Sequence, residues 1–296
     1  MTRLDMRAAR RRFERAASTC SEASVLAREV ERRMAERLGY IKHEPKRVLD
    51  AGHGLGDGMR LLRRRYPKAT LLGVDSALAV ASRAKSRQTL AERVMSLLFA
   101  PGPHHLCADM ARLPLANASV GMVWSNLALG WVEEPLTAFR EFQRVLEIGG
   151  LLMFSTYGPD TLKELRQAFA AADAGPHIHH FIDMHDLGDM LLAAGFAEPV
   201  MDMEYITLTY AEIDALLGDL RHSGQSNVAL DRSRGLMGSR TWQVMQRSYE
   251  RLRRDARLPA TFEIIYGHAW RAQPRRQVDV AGPTLARIDF TPRKPR

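Results

Sequence analysis

Four glycines at alternate positions, Gly52, Gly54, Gly56 and Gly58, follow the apolar pair Val48-Leu49 and the acid Asp50. The amphipathic run Met59 to Tyr66 comes directly after them. This order predicts a buried strand, a tight glycine turn and a helix. Glycine has no Cβ, so it takes positive φ cheaply and lets backbone approach a ligand. The helix start adds unpaired amides and a partial positive charge. An ordinary strand-to-helix turn can carry a glycine cluster too, so the loop alone does not assign a ligand.

The next segment does more. Ala69 to Val74 is a second apolar run, and it ends at Asp75. An acid at the tip of the next strand, roughly 20 residues on, holds ribose hydroxyls in dinucleotide sites. Here the gap is longer and an acid, Asp50, also leads the glycines, where it would repel a phosphate. An acid in that place fits a ligand with a positively charged amino-acid end and no phosphate, such as S-adenosylmethionine.

The rest of the composition limits the possible functions. A chain of 296 residues can bury one sizeable core, or a core plus a cap. No apolar stretch is long enough to span a membrane. The Arg-rich start is followed by no apolar segment, so no secretory signal is expected and a cytoplasmic location is. The two cysteines, Cys20 and Cys107, suggest neither a disulfide framework nor a metal site. No clustered His, Cys and Asp set has ligand spacing; His104 and His105 read as solvated loop residues, and His179-His180 lacks a helical partner. No metal is expected. The net charge of +9 resides in the ends, +4 over residues 1–15 and +5 over residues 271–296. The neutral middle and the absence of interleaved aromatics argue against nucleic acid.

In chain order, residues 1–40 read as two helices, the second capped by Thr19 or Ser21. Residues 46–75 form a first β-α-β unit, followed by a helix capped by Ser76. An apolar run at Met95 to Phe99, broken by Pro101-Gly102-Pro103, reads as a surface excursion. Strands are expected at 106–109, 120–126 and 151–156. A helix over 133–146 is expected to be stopped by Gly149-Gly150. Strands alternating with helices mean a parallel sheet with right-handed crossovers. Beyond it, a helix begins near Asp160, His177 to Phe181 form a loop, and a helix over 184–194 ends at Gly195. Residues 199–210 alternate like sheet-edge strands, and 230–252 are largely helical. The expected organisation is a helical lid (1–40), a cofactor-binding core (41–160), the remainder of the core with substrate-side insertions (161–270) and a basic tail (271–296).

Asp50-Ala51-Gly52-x-Gly54-x-Gly56, Asp75, Asp109 and Ser125-Asn126 resemble the class I S-adenosylmethionine-dependent methyltransferases. Four further stretches narrow the resemblance: Arg12-Phe13-x-Arg15-Ala16-Ala17, Trp124 to Trp131, Phe154 to Leu165 and Pro259 to Trp270. They are similar to the malonyl-acyl-carrier-protein O-methyltransferases of biotin synthesis, over roughly residues 10–271.

The resemblance implies an open, mostly parallel seven-stranded α/β sheet of Rossmann-like type with helices on both faces. N-terminal helices and a C-terminal helical cap would complete it. It implies S-adenosyl-L-methionine as cofactor, a malonyl thioester on acyl carrier protein as substrate, and a methyl ester as product. Gly52, Gly54 and Gly56 would admit the cofactor and Asp50 would lie at its methionine end. Asp75 would hold the ribose, Asp109 with the Met110 amide would read the adenine, and Asn126 would close the pocket. Trp131, Tyr157, His180 and Phe181 would line the acceptor side. A carboxylate is already nucleophilic, so no catalytic acid or base is expected. Arg10, Arg11 and Arg12 would dock the acidic carrier protein. The chain departs from the family pattern at Cys20-Ser21, His53, Leu55, Asp57, Gly130 and Tyr157. Alternatives are another methyl acceptor, or a non-catalytic assembly factor with the same fold.

Overall fold

The computed structural model describes residues 3–20, 25–87 and 102–273. The expected Ser21 cap, the Met95 to Phe99 run and nearly all of the basic tail lie outside them. Seven strands form one sheet: β1 (Arg47–Ala51), β2 (Thr70–Asp75), β3 (His104–Cys107), β4 (Val120–Ser125), β5 (Leu146–Tyr157), β6 (Phe196–Tyr210) and β7 (Leu258–Arg271). Their order is β3-β2-β1-β4-β5-β7-β6. The pairs among β1 to β5 are parallel, while β7 runs antiparallel to both neighbours. The strand order reverses beside β1, so the ends of β1 and β4 open a crevice where ligands bind in such sheets.

The parallel strands are apolar on both faces. Val48, Met122, Trp124, Leu151 and Met153 belong to one core cluster. Their chain neighbours Leu49, Val123, Leu152 and Phe154 belong to the other. Period-two alternation sends each successive side chain to the opposite face. Helices α5 (Pro135–Val145) and α7 (Met184–Ala193) cover the second face, α5 through Phe139, Phe142 and Val145. Burying each of these phenylalanines contributes about 1.5–3 kcal/mol. The first face carries α2 (Val25–Leu38), α3 (Asp57–Arg65), α8 (Ile213–His222) and α9 (Ser239–Glu250).

Helix α2 also packs into this core. Its Val30 and Met34 are wholly buried, and Arg33 and Arg37 pair with Glu204 and Asp202 of β6. Helix α1 (Met6–Ala16) lines the ligand-side cavity through Met6, Ala9 and Phe13. Asp5 caps it by accepting from the Ala8 amide at 2.9 Å, and Arg232 holds Asp5 at 3.0 Å. Phe13 meets the Trp131 ring edge-on at 5.3 Å.

Several local expectations are corrected. Ser76 does not cap α4 (Leu78–Ser86); Glu14 of α1 reaches across and accepts from the Leu78 and Ala79 amides at 2.7 and 2.9 Å. A carboxylate satisfies two orphan donors and the helix dipole better than one hydroxyl. Thr19 closes the turn after α1 through the carbonyls of Ala16 and His222. Gly149 and Gly150 do not end α5, which stops at Val145; they lie within β5. His104 and His105 are not loop residues but pair with Leu72 and Gly73 as strand β3. The helix expected over 230–252 is shorter, and β7 follows it into the sheet interior. Helix α6 (Lys163–Ala170) follows β5.

Candidate active site

The glycine loop turns as its composition requires. Gly52, Gly54 and Gly56 have φ of 77°, 52° and 81°. A Cβ on Gly54 would meet nothing within 4 Å, so that backbone opens on a cavity. The cavity has a volume of about 520 Å³ and is lined by the loop, Asp50, Asp75, Asp109, Met110, Asn126 and Trp131. Seven of the eight residues expected at the cofactor therefore line one space, and the eighth, Gly56, is the N-cap of α3 beside it.

Asp75 ends β2. Its carboxylate accepts from the Gly54 amide at 3.2 Å and the Ala77 amide at 2.9 Å. Burial pushes it up to about 6 against these bonds. Asp109 accepts from the Ala111 amide at 2.9 Å, which fixes the turn after β3. Asn126 at the end of β4 accepts from the Ser155 hydroxyl at 2.7 Å and donates to the Ala27 carbonyl at 2.9 Å. Its amide also donates to Glu31 of α2. Asp50 is 3% exposed. Burial, with the neighbouring Glu31, Asp75 and Asp57, drives its carboxyl well above the usual carboxylate range.

The neighbours acting on Asp50 are all acidic. S-adenosylmethionine fits this chemistry: Gly54 offers open backbone, Asp75 a half-buried acceptor for ribose hydroxyls, and Asp50 an uncompensated carboxylate for an ammonium. His53, a departure from the family pattern, is 5% exposed and packs edge-on against His105 at 5.0 Å. Gly73 leaves the space for it, since a Cβ there would lie 2.6 Å from the imidazole. Burial lowers His53 to about 4, so it is neutral at physiological pH.

A second chamber of about 190 Å³ shares Trp131 and Gln225 with the first. Trp131, Tyr157 and Phe181 line it, with the Tyr157 and Phe181 rings 5.2 Å apart. The Tyr157 hydroxyl donates to Gln225 Oε1 at 2.9 Å. Gly130 admits Phe181, whose ring would lie 3.2 Å from a Cβ there. His180 does not line the chamber. It is exposed, with Nδ1 3.4 Å from Arg166. Its neighbour His179 turns inward instead, 3% exposed, against Trp131 at 4.9 Å and Phe181 at 4.5 Å. The two adjacent histidines thus face opposite ways, His179 inward and His180 to solvent.

The three arginines divide. Arg10 is exposed at the cavity wall and 3.8 Å from Glu14. Arg11 is exposed. Arg12 is half-buried and donates to the Asn227 carbonyl, so it anchors α1 on the segment carrying Gln225. Arg7 is exposed and lines the cavity in its stead. Sequence reasoning missed Glu31, His179 and Gln225. Glu31 had a signal, being one turn beyond Ala27 and beside the buried Val30 and Met34 on α2.

Residues 49–154 match the family model described as a methyltransferase domain. The protein of Laribacter hongkongensis named malonyl-[acyl-carrier protein] O-methyltransferase is 54% identical over 269 residues, 90% of each chain. The protein of the same name from Gallionella capsiferriformans is 50% identical over 94% of this chain and 95% of its own. Among solved structures, the YcgJ protein from Bacillus subtilis shares the fold, with a TM-score of 0.56 at 14% identity over 82% of this chain and 99% of its own. The chain belongs to the malonyl-[acyl-carrier protein] O-methyltransferase family and is an S-adenosylmethionine-dependent methyltransferase.

Proposed function

We propose that this chain methylates the free carboxylate of a malonyl thioester carried by acyl carrier protein, as the names of its relatives say of them. The observation that carries the reading is the aromatic chamber meeting the cofactor cavity at Trp131 and Gln225. S-adenosylmethionine supplies an electrophilic methyl group on a sulfonium. The chain's own residues align and enclose. Asp75 and the glycine loop fix the donor side. Tyr157 occupies Gln225 Oε1, which leaves the Gln225 amide Nε2 to donate to the acceptor carboxylate. Trp131 and Tyr157, 8% and 2% exposed, keep the meeting point dry. A carboxylate needs no base to react, so holding both partners in line supplies most of the rate.

Carrier docking belongs to α1 in this reading. Arg7 and Arg10 are exposed and line the cavity, and Arg11 is exposed beside them, whereas Arg12 is committed to the fold. Complementary charge acts mainly on encounter rate and is screened by salt. Changing Arg7, Arg10 and Arg11 together to Glu is expected to cut the rate with malonyl-carrier protein by about tenfold or more at low salt. A small malonyl thioester should react almost as before. Equal losses on both acceptors would show that these arginines hold the lid, and unchanged rates on both would end the docking idea.

A further inference from the structure

We propose that Glu31 of α2 joins Asp50 of β1 in a cation subsite for the ammonium group of S-adenosylmethionine. The proposal rests on the methyl donor, not on the identity of the acceptor. Nothing in the glycine motif points to Glu31, which comes from a helix 19 residues before Asp50 in the chain. Yet both carboxylates line the cofactor cavity. A methyl group built on Gly58 would sit 2.6 Å from Glu31 Oε1 and 2.9 Å from Asp50 Oδ2. The two acids therefore face each other across a gap that any residue larger than glycine would fill.

The pair is built, not accidental. Trp124 Nε1 donates to Glu31 Oε1 and Asn126 Nδ2 to Oε2, so its orientation is fixed by two neutral donors. Asp50, 3% exposed, accepts no hydrogen bond among the described residues. An ionised carboxylate accepts at about four positions, so both groups keep acceptor capacity for a further donor. Two buried carboxylates at one site cannot both ionise without a cation. The groups around Glu31 are Asp50 from β1, Asp57 from the start of α3, the neutral Trp124 and Asn126 from β4, and Arg28, a cavity-lining neighbour on α2. Asp75 acts on Asp50 from β2. No group of three or more His, Cys, Asp or Glu suited to a metal exists among the described residues. An organic ammonium, with three donors and one charge, matches two facing carboxylates.

The linkage has a definite sign. Burial raises Glu31 to about 7. Without the cofactor, the pair holds a proton below that pH. An arriving ammonium needs the ionised form, so the proton must leave. Affinity should then fall as the pH drops below about 7, and binding near pH 6 should release a proton.

Calorimetry with two ligands tests this. S-adenosylhomocysteine carries the ammonium; 5′-methylthioadenosine keeps adenine and ribose but lacks it. Titrations near pH 6 and pH 8, in buffers of different ionisation enthalpy, read affinity and proton release. Wild type should bind S-adenosylhomocysteine more weakly near pH 6 and release a proton, both to a greater extent than with 5′-methylthioadenosine, whose ribose meets Asp75 alone. Glu31→Gln keeps the size and an acceptor for Trp124. It should weaken S-adenosylhomocysteine about tenfold or more, and 5′-methylthioadenosine by less than about twofold. Equal weakening of both ligands, or pH-independent binding of S-adenosylhomocysteine by wild type without proton release, would overturn the proposal. The wild-type measurement decides the matter even if the variant does not fold.

Discussion

Gly52→Ala is expected to abolish measurable cofactor binding and to lower the melting temperature. The added Cβ would lie 2.3 Å from Ala128 Cβ and 3.2 Å from Met110 Cε, and the backbone there has φ of 77°. Left-handed backbone costs a residue with a Cβ about 1–2 kcal/mol. The contact is worse, because Ala128 follows β4 and lines the same cavity as Met110. Relief must move either the glycine loop or the segment carrying Asn126 and Trp131. Gly54→Ala is the control. Its φ of 52° carries similar strain, but its Cβ meets no protein atom within 4 Å. It should cost about 1 kcal/mol of stability while obstructing the cofactor directly. Calorimetry with S-adenosylhomocysteine and thermal melts separate the two. A Gly52→Ala protein that melts and binds like wild type would show that the loop does not abut the β4 end as described.

Asp75→Ala should weaken S-adenosylhomocysteine binding by about 1–3 kcal/mol, because the ribose hydroxyls lose a charged acceptor. The loss should persist with 5′-methylthioadenosine, which keeps the ribose. That pattern is the opposite of the one expected for Glu31→Gln. The pH behaviour is also distinct. Asp75 rises from its ordinary 3.8 to about 6 by burial. An acid raised in the folded state favours folding below its unfolded value, and that contribution is lost as pH rises through 6. Compared with Asp75→Asn, ligand-free wild type should thus lose stability between about pH 4 and pH 6. A wild-type minus variant difference that stays flat across that window would contradict the burial of this carboxylate.

The cofactor side was legible because it is local. Asp50, the glycines and Asp75 belong to one β-α-β unit whose signals are a strand, a turn and a helix start in sequence. The acceptor side was less so. His180 and His179 are equivalent in composition, and only the packing against Trp131 and Phe181 chooses between them. Arg12 reads like its neighbours until α1 is laid on Asn227. The Glu14 cap on α4 joins residues 64 apart, and no local propensity records such a pairing. Strand β7 had a readable signal, the largely apolar stretch from Phe262 to Trp270, interrupted at Glu263, Gly267 and His268. Its insertion between β5 and β6 is a long-range pairing that sequence periodicity does not encode. The glycines of β5 misled for a related reason. Gly149 has φ of 76°, which resembles a helix cap, but the register beside it shifts between Val120 and Met122 of β4 and the strand continues.

Methyl transfer to a malonyl carboxylate is read directly by the intact mass of the carrier protein. Malonyl-carrier protein and acetyl-carrier protein are each incubated with this chain and S-adenosylmethionine. The malonyl form should gain the mass of one methylene group, and cleaving the thioester should release that added mass with the malonyl group rather than leave it on the carrier. The acetyl form, which has no free carboxylate, should stay unchanged. A malonyl-carrier protein left unmodified by folded protein that binds S-adenosylhomocysteine, or a gain of mass on both carriers alike, would contradict the account.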